Sequence, residues 1–136
     1  MHPHLRIDTA ASRATLSSDV HLATAVEQMG LLASFVHACH TSDQVLLART
    51  LRDVLVEPQR RAMVTGFDAV KAAAISAGAL GCSLSGSGPS LFAIGPMATG
   101  AATAAAMVEA FANHGIKSDA WVSPLHAPGA SVEVDG

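Results

Sequence analysis

The segment Ser85-Gly86-Ser87-Gly88-Pro89-Ser90 sets three hydroxyls and two glycines within six positions. With no Cβ at Gly86 and Gly88, the backbone there can take positive φ and approach another group closely. The serines add hydroxyls and successive N–H donors, a composition suited to surrounding an anion such as a phosphate or a carboxylate. The same composition also makes an ordinary tight turn between two buried strands, and composition alone leaves both readings open. Two other phosphate-binding designs are excluded. No GxxxxGK[ST] occurs, and the only lysines, Lys71 and Lys117, lie far from these glycines. The stretch runs into an apolar segment instead of opening a helix, which a dinucleotide fingerprint requires.

Other candidate chemistries are weaker. His37 and His40 lie three apart on a helical pattern with Cys39 between them. A tetrahedral metal site needs three or four converging ligands, and no CxxC, HExxH or second cluster supplies the rest, so no metal is expected. His2 and His4 share one side of an extended segment and are expected to be simply exposed. Serine, histidine and aspartate are frequent enough to form trios by chance, and no G-x-S-x-G elbow is present.

The elements that must position the glycine segment follow from periodicity. His2 to Asp8 alternates, with Leu5 and Ile7 on one side, as a half-buried strand does. Thr9 can cap a short helix through Arg13 to Leu16, and Ser17-Ser18-Asp19 offers a cap for the next. Leu22, Ala25, Val26, Met29, Ala33 and Val36 predict one apolar face of a long helix reaching about His40. Ser42 or Asp43 caps another, with Leu47, Leu51, Val54 and Leu55 on a shared face until Pro58 interrupts it. Phe67, Val70, Ala74 and Ala77 mark a helix that stops at Gly78. Ala79 to Leu84 and Leu91 to Ile94 have the length of strands and hold the glycine segment between them. Thr99 to His114 is an alanine-rich helix closed by Gly115. Two further strands are expected around Ala120 to Ser123 and Ala130 to Asp135. The sum is an α+β domain, with one mainly antiparallel sheet of about four strands covered by several helices.

Composition bounds what such a domain can do. The 136 residues suit one domain, and with 50% hydrophobic and 14% charged residues a compact fold is expected. A net charge of -3 leaves no basic surplus for a phosphate backbone, so no nucleic-acid partner is expected. Cys39 and Cys82 form no disulfide framework and read as reduced, buried thiols of a cytoplasmic protein. MHPHLRID has no signal-peptide pattern, and the run Met97 to Ala112, broken by Gly100 and Glu109, is a poor membrane span, so no membrane partner is expected.

Three separated motifs carry a family resemblance over nearly the full chain. SGSGPS between apolar strands resembles the third motif of the GHMP kinases. Within them, EPQRRAMVTGFDAVKAAA, Glu57 to Ala74, resembles the EPxRxxLxPGFxxVKxAA of homoserine kinases. HPHLRIDTAASR resembles the strand and turn where those enzymes carry a Thr and an Arg four residues apart, and FVHAC at Phe35 to Cys39 is a further match. Thr65 stands where the family has Pro, which should loosen the turn after Arg60 slightly.

The resemblance implies a GHMP kinase carboxy-terminal domain spanning residues 1–136, with a ferredoxin-like α+β sandwich fold. It implies that Arg13 and Arg60 hold the carboxylate of L-homoserine, which a guanidinium fork suits, and that Thr9 reaches the same pocket. Ser85, Gly86, Ser87, Gly88, Pro89 and Ser90 would line the cleft near the transferring phosphoryl group. ATP and Mg²⁺ would be bound mainly by an amino-terminal domain, because the PxxxGLGSSAA-type loop and its acidic Mg²⁺ ligand do not occur in these 136 residues. The implied reaction is transfer of the ATP γ-phosphate to the homoserine hydroxyl in threonine biosynthesis, with this chain inactive alone. The alternative is a non-catalytic module that keeps the fold and binds a small molecule or a protein partner. Surface made to face another domain should also drive self-association, as a homodimer for instance.

Overall fold

A computed structural model describes residues 1–126 together with Gly129 and Val132. In chain order the elements are β1 (His2–Pro3), α1 (Thr9–Ala14), α2 (Leu22–Thr41), α3 (Gln44–Thr50), α4 (Glu57–Arg60), a 3-10 turn (Arg61–Met63), α5 (Phe67–Ser76), β2 (Gly81–Leu84), β3 (Leu91–Ile94), α6 (Met97–Ala112) and β4 (Ser118–Asp119). This is the expected α+β architecture.

The four described strands form two antiparallel pairs, β1 with β4 and β2 with β3. The pairs are joined where the Leu91 N–H donates to the Met1 carbonyl at 3.0 Å. That single bond leaves two small sheets, with β3 beside β1, instead of the one sheet of about four strands expected from the sequence. Helices α5 and α6 pack on each other and cover these strands. Phe67, Val70 and Ala74 of α5 meet Met107, Ala110 and Phe111 of α6 over Cys82, Leu84 and Leu91, with Leu5 and Ile7 packed at the edge.

Several boundaries differ from the sequence expectation for identifiable reasons. The first strand stops at Pro3, where Leu5 N–H turns back to the Pro3 carbonyl; Leu5 and Ile7 stay half-buried without ladder bonds. Asp8, not Thr9, caps α1, its carboxylate accepting from Ala11 N–H at 2.8 Å. Helix α2 starts after His21 with no side-chain cap, because Ser17 and Asp19 bond to each other instead. Asp43 caps α3 as expected, but that helix ends at Thr50. Asp53 then takes the Leu55 and Val56 N–H groups. Pro58 does not interrupt a helix; it lies in the first turn of α4, where its missing N–H costs nothing. The fourth strand is Ser118–Asp119, just before Ala120 to Ser123, and the strand expected at Ala130 to Asp135 lies, Val132 apart, outside the described residues.

The apolar stripe on α2 is present but faces outward. Leu22, Val26, Met29 and Val36 are exposed, Leu22 by 79%, and Ala38 is the one buried residue of the helix. By length and composition α2 could cross a membrane, which the sequence reading passed over. Here it packs on α3, and Gln28 and Glu27 tie it to Val54 and Arg52. Cys39 is exposed, contrary to expectation, whereas Cys82 is buried.

Candidate functional site

The glycine segment is the β2–β3 turn. Gly86 and Gly88 adopt φ of 63° and 79°, a region that side chains with a Cβ rarely enter, so glycine is required at both. Ser85 N–H donates to Ser90 O at 2.8 Å and Gly88 N–H to Ser85 O at 3.2 Å, which closes the turn. Among the described residues, the Gly86 and Ser87 N–H groups donate to no protein acceptor.

Two elements distant in sequence converge on this turn. From α1, the buried Ser12 donates its hydroxyl to the Ser87 carbonyl at 3.1 Å. From the end of α4, Arg60 donates Nε to the Ser12 carbonyl at 3.2 Å and Nη1 to the Gly86 carbonyl at 3.4 Å. Arg60 thus clamps α1 to the turn. Its guanidinium has five N–H donors, so three remain for a ligand after these two bonds. Arg13 follows Ser12 on α1 and is exposed; among the described residues its guanidinium has no hydrogen bond or ion pair. Thr9, one helical turn earlier, is exposed at the start of α1. The structure therefore brings Arg60, Ser12 and the turn into contact, whereas Arg13 is the next residue of α1 with an exposed side chain that makes no hydrogen bond with them.

Arg60 is held by a buried charge pair. Glu57, one turn before it, accepts from Ser83 Oγ on β2 and from Lys71 Nζ on α5, each at 2.5 Å. Its side chain is largely buried and Lys71 partly so. This network ties α4 to strand and helix at once, and fixes where Arg60 leaves the backbone. Close by, burial pushes the Cys82 thiol up to about 11, with Lys71 and the amino terminus opposing and Glu57 reinforcing, so the thiol stays neutral.

Sequence reasoning did not assign roles to Ser12, Glu57, Lys71 or Ser83. Glu57 and Lys71 lie in the motif that carries the resemblance, but their pairing spans two helices and has no short-range signature. The Thr65 position is exposed, and Gly66 next to it starts α5 at φ 83°.

ATP and Mg²⁺ can be tested against the donor set. Glu57, the buried carboxylate of this region, is already engaged by Lys71 and Ser83, and no group of three metal-binding side chains exists among the described residues. These residues do not make an Mg²⁺ site. His37 and His40 are exposed on α2. His2 and His4 are exposed as well, but bond across strands to Ser90 and Asp119.

Comparison with known proteins fits this arrangement. The family described as GHMP kinases C terminal matches residues 35–117. The homoserine kinase of Chlorobium phaeovibrioides is 44% identical over 135 residues, covering 97% of this chain and 42% of that protein. The homoserine kinase of Xanthomonas campestris pv. campestris is 44% identical over 131 residues, covering 96% and 41%. The crystal structure of homoserine kinase from Cytophaga hutchinsonii superposes with a TM-score of 0.84 at 40% identity, over 87% of this chain and 38% of that one. The chain thus spans about two fifths of the length of these relatives. With the family match extending over more than half of its residues, and the glycine turn, α4 and α5 inside it, the chain belongs to the GHMP kinase carboxy-terminal domain family.

Proposed function

We propose that this chain is the substrate-side domain of a homoserine kinase, working in the cytoplasm in threonine biosynthesis. It orients L-homoserine so that its hydroxyl meets the γ-phosphate of ATP. The observation that carries the reading is Arg60, clamped between Ser12 and Gly86 with three donors to spare, with Arg13 the residue after Ser12 on the same helix. Forked cations together with a turn that has open N–H groups suit a substrate with a carboxylate at one end and a phosphoryl acceptor at the other. Thr9 adds a hydroxyl on the same helix.

Phosphoryl transfer depends on positioning and on charge stabilisation, so holding the acceptor contributes directly to rate. ATP and Mg²⁺ supply the transferred group and its charge neutralisation, and are held by the amino-terminal half. The chain alone is therefore inactive. Combining it with the amino-terminal half of the Chlorobium phaeovibrioides enzyme should restore homoserine-dependent ADP release. In that assembly Arg60→Ala and Arg13→Ala should each raise KM for homoserine at least tenfold, about 1.4 kcal/mol, with KM for ATP nearly unchanged. An active assembly whose homoserine KM ignores both substitutions would refute the assignment.

A further inference from the structure

Ser12 is fully buried although Ala11 and Arg13 on either side of it are exposed, and among the described residues no other polar side chain is so completely enclosed. Its bonds run in two directions. The hydroxyl donates to the Ser87 carbonyl of the glycine turn at 3.1 Å. The Ser12 carbonyl lies in the last turn of α1, where no helical N–H is left to take it, and it accepts from Arg60 Nε at 3.2 Å and from Thr15 Oγ1 at 2.8 Å. One residue thus bonds both the guanidinium and the turn, which come from separate elements.

Those bonds decide which way the open N–H groups of the turn face. Within a trans peptide the carbonyl and the following N–H point to opposite sides. The Gly86 carbonyl is taken by Arg60 Nη1 at 3.4 Å, so the Ser87 N–H points away from Arg60. The Ser87 carbonyl is taken by Ser12, while the N–H at the other edge of that peptide, from Gly88, donates to the Ser85 carbonyl at 3.2 Å. The Ser87–Gly88 peptide is therefore held from both edges, and the Gly86 N–H is turned away from the same Ser85 carbonyl. Without the Ser12 hydroxyl, the bond from Arg60 to Gly86 would be the remaining hydrogen bond from α1 or α4 to the turn among the described residues, and at 3.4 Å it is a long one.

We propose that Ser12 is a positioning residue for phosphoryl transfer. Through its hydroxyl it holds the open N–H groups of the glycine turn at a fixed offset from Arg60. An acceptor gripped by its carboxylate at Arg60 is thereby set against a phosphoryl group lying at the turn. The inference rests on the kinase reading and adds to it a residue whose buried side chain touches neither substrate. The two halves of Ser12 have separate effects. Its carbonyl keeps Arg60 Nε whatever the side chain is, so carboxylate binding survives loss of the hydroxyl. The hydroxyl acts on the turn alone, so its loss shows in turnover and not in affinity for the acceptor.

The test uses the chain combined with the amino-terminal half of the Chlorobium phaeovibrioides enzyme, and the ¹⁵N-labelled chain by itself. Alanine fits the same space and favours a helix, so Ser12→Ala should keep the circular dichroism spectrum; a lost spectrum would show a structural role and overturn the proposal. In the assembly Ser12→Ala should lower kcat about fivefold, the ~1 kcal/mol of one hydrogen bond, with KM for homoserine changed by less than about twofold. Thr15→Ala removes the other hydroxyl on the Ser12 carbonyl without touching the turn, and should leave kcat and KM unchanged. In the chain by itself, Ser12→Ala should speed exchange of the Gly88 amide at least about fivefold, because its peptide is then held from one edge only. An active assembly that keeps its full kcat with Ser12→Ala overturns the positioning role and spares the kinase reading. Equal losses of kcat in S12A and T15A do the same, since they would mean a loosened α1. An assembly inactive even with the unaltered chain counts against the kinase reading instead. The Gly88 amide then decides separately: faster exchange in S12A upholds the hold on the turn, and unchanged exchange overturns it.

Discussion

Arg60 reaches the glycine turn from a short helix that is anchored one turn earlier by Glu57, which two partners from different elements hold. A carboxylate so little exposed must be paired, since desolvation otherwise disfavours its charge. Lys71→Met should therefore cost about 3 kcal/mol, the lower end for breaking a buried pair, because Lys71 keeps part of its side chain in water. Glu57→Gln should cost less, as an amide oxygen still accepts from Ser83. Combined with Lys71→Met it should recover part of that loss, since no charge is then left unpaired. Urea unfolding of the two single variants and the double variant measures the coupling. Strictly additive losses would show that the pair adds nothing beyond its separate side chains. The network also accounts for what sequence left unread at this scale. The residues stood in a motif, but the hydroxyl that completes them, Ser83, is one of several serines near the turn, and nothing in its neighbours marks it out.

At the scale of elements, periodicity identified the helices but not the side each one buries. Leu22, Val26, Met29 and Val36 do form a stripe at helical spacing, yet the side of α2 that is at least half-buried is a different one, carrying Ala25, Gln28, Leu31, Phe35 and Ala38. The hairpin around the glycine turn was legible because both of its strands are short apolar runs ended by turn residues. The first strand was not, since Leu5 and Ile7 keep an alternating burial after Pro3 has ended the ladder. Pro58 misled for a related reason: the same residue that breaks a helix interior is favoured in a first turn, and only the start of α4 decides between them. The orientation of α2 leads to a contrast between two substitutions. Met29→Lys changes a side chain that is already 61% exposed and should shift stability by no more than about 0.5 kcal/mol. Ala38→Asp puts a carboxylate where the helix is closed against its neighbours and should cost at least ~2 kcal/mol. Thermal melts of both variants provide the check, and equal losses would mean that the stripe is covered in solution.

Across the whole molecule, burial is unevenly distributed. Helices α5 and α6 with the β2–β3 hairpin hold nearly all of the buried apolar side chains, from Val64 through Phe111, whereas α2 contributes Ala38 alone over its 20 residues. Most of a helix's stability within a protein comes from packing one of its faces, so α2 depends on its contact with α3 and on its links to Arg52 and Val54. It should open independently of the core. Native-state hydrogen exchange should find amides in the middle of α2 at least 100-fold less protected than those of α5 and α6, about 2.7 kcal/mol apart. Concentration separates the remaining cases. If protection of α2 rises with protein concentration while that of α6 does not, the exposed stripe is being covered by a second copy of the chain. If α2 is as protected as α6 at high dilution, the division of the molecule into a stable sheet-and-helix core and a loosely attached helical pair is wrong.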